Sequence, residues 1–255
     1  MDKLAIFGAV LALLAIGFGY TLEGGVLTNL FDLSAFVIVF GGTLGAVMLQ
    51  ATKFQFVTAL KMLPWVFKPP KYNFEKGIEQ VKIWATKVRQ DGYLSLEDQA
   101  MYEKDYFISK GLNLLIDGSE QEQFFDTMDN EIRQQRNALN ESSNVYNAMG
   151  GYSPTIGILG AVLGLIQAMN FIKQPEMLGA GIATAFVATI YGVGFANLLY
   201  IPIANKLNNL IDEYSRYHQM LAEGMYCILK GDTPNVIEQK LSAYLVEKNN
   251  NTLFR

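Results

Sequence analysis

Four stretches of this chain carry no Asp, Glu, Lys, Arg or His at all: Leu4 to Leu22, Leu33 to Thr52, Ser142 to Ile172 and Met177 to Asn205. A helix needs roughly 20 mostly apolar residues to cross the hydrocarbon core of a bilayer, and each stretch supplies them. Only 17% of the 255 residues are charged, against about a quarter in an ordinary soluble domain, and the deficit is concentrated in these four places. The expected fold is all-α: a polytopic membrane protein with four transmembrane helices and a helical cytoplasmic domain. The first stretch is expected to remain as an anchor. It is longer than a signal-peptide core of about 7–15 residues and runs into Glu23-Gly24-Gly25 without a small-residue cleavage site.

Lys and Arg close to span ends tend to stay on the cytoplasmic side. The segment from Lys53 to Arg136 holds 12 of them and the tail from Lys206 to Arg255 holds 6, with Lys3 at the start. Between the third and fourth stretches there is only Lys173, and between the first and second there is none. Both termini and the central segment should therefore face the cytoplasm. The expected divisions are 1–52 with the first two spans, 53–141 as a cytoplasmic helical domain, 142–205 with the last two spans, and 206–255 as C-terminal cytoplasmic helices.

The central segment has helical periodicity. Phe74, Ile78, Val81, Trp84 and Val88 recur at helical spacing between Asn73 and Gln90, and Gly92 should end that helix. Ser95 with Asp98, and Ser119 with Glu122, have the spacing of capping boxes. From Ser119 no breaker occurs before Gly150-Gly151, which predicts one long helix leading toward the third span. The fourth span should continue through Leu207, Leu210, Ile211 and Tyr214. Thr233 is suited to an N-cap with Pro234 in the first turn.

Several functions are excluded by what is missing. A net charge of −4 without a dense Lys/Arg tract gives no footprint for nucleic acid. Cys227 stands alone, so it forms neither an internal disulfide nor a cysteine zinc site. The single histidine, His218, lies outside the four stretches, and no metal-ligand cluster, nucleophile–base pair or phosphate-binding loop is present. No enzymatic activity is expected.

An ion crossing a membrane needs polar groups or water along its route, and ionisable residues within spans usually mark it. The four stretches contain none. Either they are four plain anchors or, if protons pass, the titrating carboxylate belongs to another chain. Small residues give the second alternative its weight. Gly157, Gly160, Ala161, Gly164 and Ala168 line one face of the third span, and Gly181, Ala185, Ala188, Thr189, Gly192 and Ala196 line one face of the fourth. Such faces allow close helix approach in lipid, whether by packing the two helices within one subunit or by lining a narrow path. The polar groups there are hydroxyls, chiefly Thr155, Thr184 and Thr189. A buried Thr in such a helix commonly bonds its own i−4 carbonyl, but Thr189 lies on the small stripe and is the one that would face a conduit. Pro154 and Pro202 mark the span ends, as a helix start and a tolerated kink or as hinges.

The run Gly157-Ile-Leu-Gly-Ala-Val-Leu-Gly-Leu165 after Ser153-Pro154, then Ala185-Phe-Val-Ala-Thr-Ile-Tyr-Gly192, Ile201-Pro-Ile-Ala-Asn-Lys206 and Val236-Ile-Glu-Gln-Lys-Leu241, resembles the MotA/PomA family of flagellar stator subunits. Leu22-Glu-Gly-Gly25, Gly92-Tyr-Leu-Ser-Leu-Glu97 and the order of two spans, a large segment, two spans and a tail fit the same pattern. The resemblance implies an inner-membrane motor subunit. It implies a pentamer around single-span MotB-type B subunits, whose membrane Asp binds the ion, and a rotor protein, FliG, as the partner pushed by cytoplasmic charges. Arg89 and Glu97 match the family's rotor-interacting positions, and Pro154 and Pro202 match its coupling prolines. Ala161 and Thr189 fall on the ion pathway, with Gly157, Gly160, Gly164, Ala185 and Gly192 as packing positions. Sodium-type members of the PomA kind carry a Thr where this chain has Ala161, so the resemblance implies H+ rather than Na+ as the transported ion, with no other cofactor or metal. Two alternatives differ in kind. ExbB/TolQ-type energisers resemble three-span chains with one span before the large segment, whereas this chain has two; a purely structural scaffold would carry neither current nor torque.

Overall fold

The computed structural model describes residues 3–246; Asp2 and the tail charges Lys248 and Arg255 lie outside the described residues. Four helices are long and apolar enough to cross a bilayer: Leu4–Leu22, Leu27–Gln50, Gln121–Asn170 and Leu178–Leu229. By contacts the described chain forms two compact units, one from the residues up to Pro70 with Ala138–Asn209, the other from Lys71–Asn137 with the residues from Leu210 onward.

In the first unit, α1 (Lys3–Leu22) precedes a short 3-10 turn, Leu27–Leu30. The second span is α2 (Leu33–Phe36), a wide π turn at Val37–Gly41, and α3 (Gly42–Gln50). α4 (Lys53–Phe67) follows, started by a capping box in which Thr52 and Gln55 each bond the other's backbone N–H. Two long helical runs complete the unit. α8 (Gln121–Asn170) contains Pro154 in its interior, so that proline does not start a helix. α9 (Pro175–Phe195) passes through a second π turn at Ala196–Tyr200 into α10 (Ile201–Leu229). That turn has a cause: Pro202 has no N–H for the carbonyl four residues back, and its ring crowds that carbonyl. The chain widens instead, and Ile201 N–H reaches back to Ala196 C=O.

The second unit contains α5 (Phe74–Asp91), α6 (Glu97–Tyr102), α7 (Tyr106–Ile116), α11 (Pro234–Leu241) and α12 (Ala243–Val246), with portions of α8 and α10. The apolar face read at Phe74, Ile78, Val81 and Trp84 is buried, with Trp84 2% exposed, among Leu96, Phe107, Leu112, Phe124, Met220, Leu221 and Met225. Asn73 caps α5 by accepting from Lys76 N–H at 3.1 Å, and Gly92 ends it at φ +80°, where a side chain would be strained. Thr233 accepts from Val236 N–H at the start of α11. The two capping boxes expected at Ser95 and Ser119 are absent. Ser95 lies in a 3-10 turn and donates its hydroxyl to Gly92 C=O at 2.6 Å, because the chain is still reversing there; α6 begins after Leu96, without a side-chain cap. α8 begins at Gln121, two residues past Ser119.

α7 is held at its start by Asp105, which accepts from Phe107 N–H at 2.9 Å and Ile108 N–H at 3.4 Å, and lies 3.4 Å from Nε2 of His218. His218 is 1% exposed, with Nδ1 2.8 Å from Tyr214 C=O and the rings of Tyr72, Phe107, Tyr214 and Tyr217 around it. The hydrogen bond to His218 holds the Asp105 carboxyl below its usual range against the opposing effect of desolvation. Burial, aided by the Asp105 charge, pushes the Tyr72 phenol up to about 12. A depressed carboxylate stabilises the fold above its unfolded-state value, and that contribution disappears as pH falls through the folded-state value. Asp105→Ala is thus expected to lower stability by about 1–2 kcal/mol at neutral pH, a helix cap plus a half-exposed charged contact. The deficit should shrink below pH ~4. Urea melts of the solubilised chain at pH 7 and 3.5 read both effects; an equal deficit at the two pH values contradicts the ionic part.

Candidate functional site

The third and fourth spans meet along their small residues. A Cβ placed on Gly157 would lie 3.0 Å from both Ala188 O and Gly192 Cα, and one on Gly192 would lie 2.7 Å from Ser153 O. The same holds for Gly160 against Ala188 Cβ at 2.9 Å, Gly164 against the Ala185 backbone N at 3.0 Å, and Gly181 against Ala168 Cβ at 2.8 Å. These contacts zip antiparallel faces together over at least three turns. Gly157, Gly160, Gly164, Ala185 and Gly192 are therefore brought into one seam within the chain, with backbone atoms as the closest neighbours except at Gly160, which meets the Ala188 Cβ and Ile38. Hydroxyl–amide contact extends it: Ser143 Oγ donates to Asn208 Oδ1 at 2.6 Å.

Ala161 and Thr189 lie at the margin of this seam and are half-buried. Thr189 Oγ1 donates to Ala185 C=O at 3.2 Å and Thr155 Oγ1 to Tyr152 C=O at 2.8 Å, so both hydroxyls bond within their own helix. Beside Thr189, Phe186, Ile190 and Val193 are exposed. Pro154 is half-buried one residue after Ser153, whose buried hydroxyl has no protein partner; Pro202 is exposed just beyond the π turn.

The fourth span is held from another side by Thr184, one of the hydroxyls read from the sequence, with Asp32 and Tyr191, whose part shows only in the fold. Thr184 donates to Asp32 Oδ2 at 2.5 Å, Asp32 N–H donates to Tyr191 Oη at 3.2 Å, and Tyr191 donates to Leu30 C=O at 2.6 Å. Tyr191 also stacks on Phe195 and meets Phe36 edge-on. Asp32 falls within the second span, Leu27–Gln50, at its start. It escaped notice because it adjoins a charge-free stretch instead of interrupting one, and its partner is 152 residues away. Its signal is local: Asp32-Leu-Ser-Ala35, with the Asp at an N-cap.

In the second unit, Arg89 in the last turn of α5 and Glu97 at the start of α6 flank the Gly92 reversal. Both are exposed, and neither forms an ion pair with another described residue. An unpaired charge at each side of a tight turn is available to an outside surface. The nearby pairs Lys82–Glu238 and Lys110–Glu131 neutralise one another instead.

Nearly the whole chain is similar to known proteins. Residues 6–91 match the profile of the motility protein A N-terminal region, and residues 99–220 that of the MotA/TolQ/ExbB proton channel family. Motility protein A of Bacillus subtilis (strain 168) is 32% identical over 249 residues, 97% of this chain and 92% of that one. Among solved structures, MotAB of C. jejuni matches with a TM-score of 0.90 at 31% identity over 96% of both chains. The flagellar MotAB stator complex of Bacillus subtilis matches at 0.86 and 32%, over 95% of this chain and 96% of that one.

Proposed function

The chain belongs to the motility protein A family, and from that premise we propose that it is the A subunit of a flagellar stator, pairing with a MotB-type subunit in a complex that turns proton flow into torque. The observation that carries this reading is the match to chains of MotAB complexes from end to end, spans and helical unit together. Two spans precede the large segment, the arrangement that separates stator subunits from three-span energisers.

The finer parts of the reading rest on the family likeness, with which the geometry is compatible. The seam of the third and fourth spans carries no acidic side chain, and the family likeness assigns the ion-binding Asp to the B subunit. Five A subunits surround that partner in the inner membrane, with both termini in the cytoplasm, where positive charge is concentrated. Ala161 and Thr189 border the ion pathway. Pro154 and Pro202, within and just after wide or small-residue helical segments, couple ion passage to movement. Arg89 and Glu97 press on the rotor protein FliG.

The transported ion is H+. A sodium ion must exchange much of its hydration for fixed oxygen ligands, and Ala161 has no hydroxyl to serve as one. Co-expression with a MotB-type partner in a strain lacking stators should restore swimming. Replacing external Na+ by K+ at fixed pH and voltage should leave the speed unchanged within about a tenth. No restoration removes the stator reading; collapse on sodium withdrawal leaves the motor and removes the proton.

A further inference from the structure

The Asp32 carboxylate receives three hydrogen bonds: Ala35 N–H and Ser34 Oγ each reach Oδ1 at 2.9 Å, and Thr184 Oγ1 reaches Oδ2. With the Tyr191 hydroxyl placed between Asp32 N–H and Leu30 C=O, α9 holds residues 30–32 at two points. Thr184 and Tyr191 are seven residues apart, two turns along one face of the helix. Gly181, Ala185, Ala188 and Gly192, which meet the third span, lie about a quarter turn around the axis from that face. Thr189, Phe186, Ile190 and Val193 lie on the remaining side, away from the clasp.

A seam of Gly and Ala brings two helices close but offers few side-chain ridges to resist rotation of one about its own axis. Two directional bonds set off from the seam and spaced two turns apart supply that resistance. We infer that Asp32 is a positioning residue: through Thr184 it sets the rotation of the fourth span and so decides which side groups, Thr189 with Phe186, Ile190 and Val193, are turned toward the partner subunit. This rests on the chain being the A subunit of an ion-driven complex. The clasp acts by geometry, not by the charge of Asp32 alone.

The test uses the full complex with the B subunit, in a Cys227→Ser background carrying Phe186→Cys, Thr189→Cys, Ile190→Cys or Val193→Cys one at a time. Maleimide labelling of the four positions gives a rotational fingerprint of the fourth span that needs no ion flow. Thr184→Val, Asp32→Asn and Asp32→Glu should each alter the ranking of the four positions and reduce swimming several-fold, at normal membrane levels, while Thr184→Ser keeps the native ranking. An unchanged ranking in Thr184→Val overturns the inference. So does a native ranking in Asp32→Glu with a defect confined to Asp32→Asn that grows with external pH, the pattern of a carboxylate acting by charge. Should Thr184→Val fail to accumulate, the decision rests on Asp32→Glu against Asp32→Asn. If the parent complex gives no motility but the ranking still shifts, the stator reading has failed and the clasp has not.

Discussion

Gly157→Val should abolish motility and remove the folded membrane unit. The first carbon of any side chain at this position would stand 3.0 Å from a carbonyl oxygen and from the α-carbon of another glycine, and backbone atoms in the middle of a helix have nowhere to move. Valine adds two further methyl groups to that collision. In lipid there is no hydrophobic driving force to offset a widened seam, since the hydrocarbon tails solvate the separated helices equally well and packing alone holds them. The penalty is expected at or beyond the top of the ~1–3 kcal/mol range for an overfilled core. Thermal melting of the complex in detergent, with membrane levels measured alongside, checks it. Gly151→Ala, where a Cβ meets nothing within 4 Å, serves as the control for helix propensity. Normal melting and swimming in Gly157→Val would mean that the third and fourth spans are not paired as described.

Reversing the charges that flank the Gly92 turn should give the second large effect, of a different kind. Arg89→Glu and Glu97→Lys are both expected to cut swimming to a small fraction of normal while leaving protein levels and melting unchanged, because each side chain is exposed and makes no ion pair within the described chain. Removing one exposed charge costs a contact only ~0.2–1 kcal/mol, so Arg89→Gln should slow the cells mildly. Reversal replaces attraction by repulsion and should do much more, with a dependence on ionic strength that burial of the contact would reduce. Tethered-cell torque across loads reads this directly, and restoration by opposite reversals on the rotor completes the case. If reversal at both positions leaves torque intact, these residues are ordinary surface charges.

Much of the architecture was legible because it is written in long-period patterns. Absence of charge over 19 or more residues marks the spans, and Phe74, Ile78, Val81 and Trp84 mark the inner face of α5, with Asn73 and Gly92 at its ends. The continuous helix from Gln121 through the third span follows from the lack of a breaker strong enough to stop it; Gly150 and Gly151 sit inside it without interrupting it. What escaped depends on short or distant relations. α4 opens with Thr52 and Gln55, a capping box hidden in the sequence because Thr52 also closes a charge-free stretch. At Ser95 the same kind of spacing misled, because the chain turns on Gly92 before α6 begins and the hydroxyl finds Gly92 C=O first. Neither π turn has a distinctive composition; the one before Pro202 arises from a missing donor, which is a property of one residue read against a carbonyl four positions earlier. The small stripes were visible, but only coordinates show that they face each other. Of the site, Arg89 and Glu97 were visible through resemblance alone, and the Asp32–Thr184 bond was not visible at all.

The pairing of Gly157 with Gly192 has an unusual implication for how this protein can change over generations. Where Gly160 faces the Cβ of Ala188, an enlargement on one helix can be answered in part by trimming its opposite, so that a reciprocal exchange keeps the total volume. At the Gly157–Gly192 crossing both partners are already the least of the twenty amino acids, and no suppressor on the opposing helix can make room. Compensation there would require a shift of register along the axis, displacing every other pair in the seam at once. That crossing acts as a fixed pivot for the whole seam.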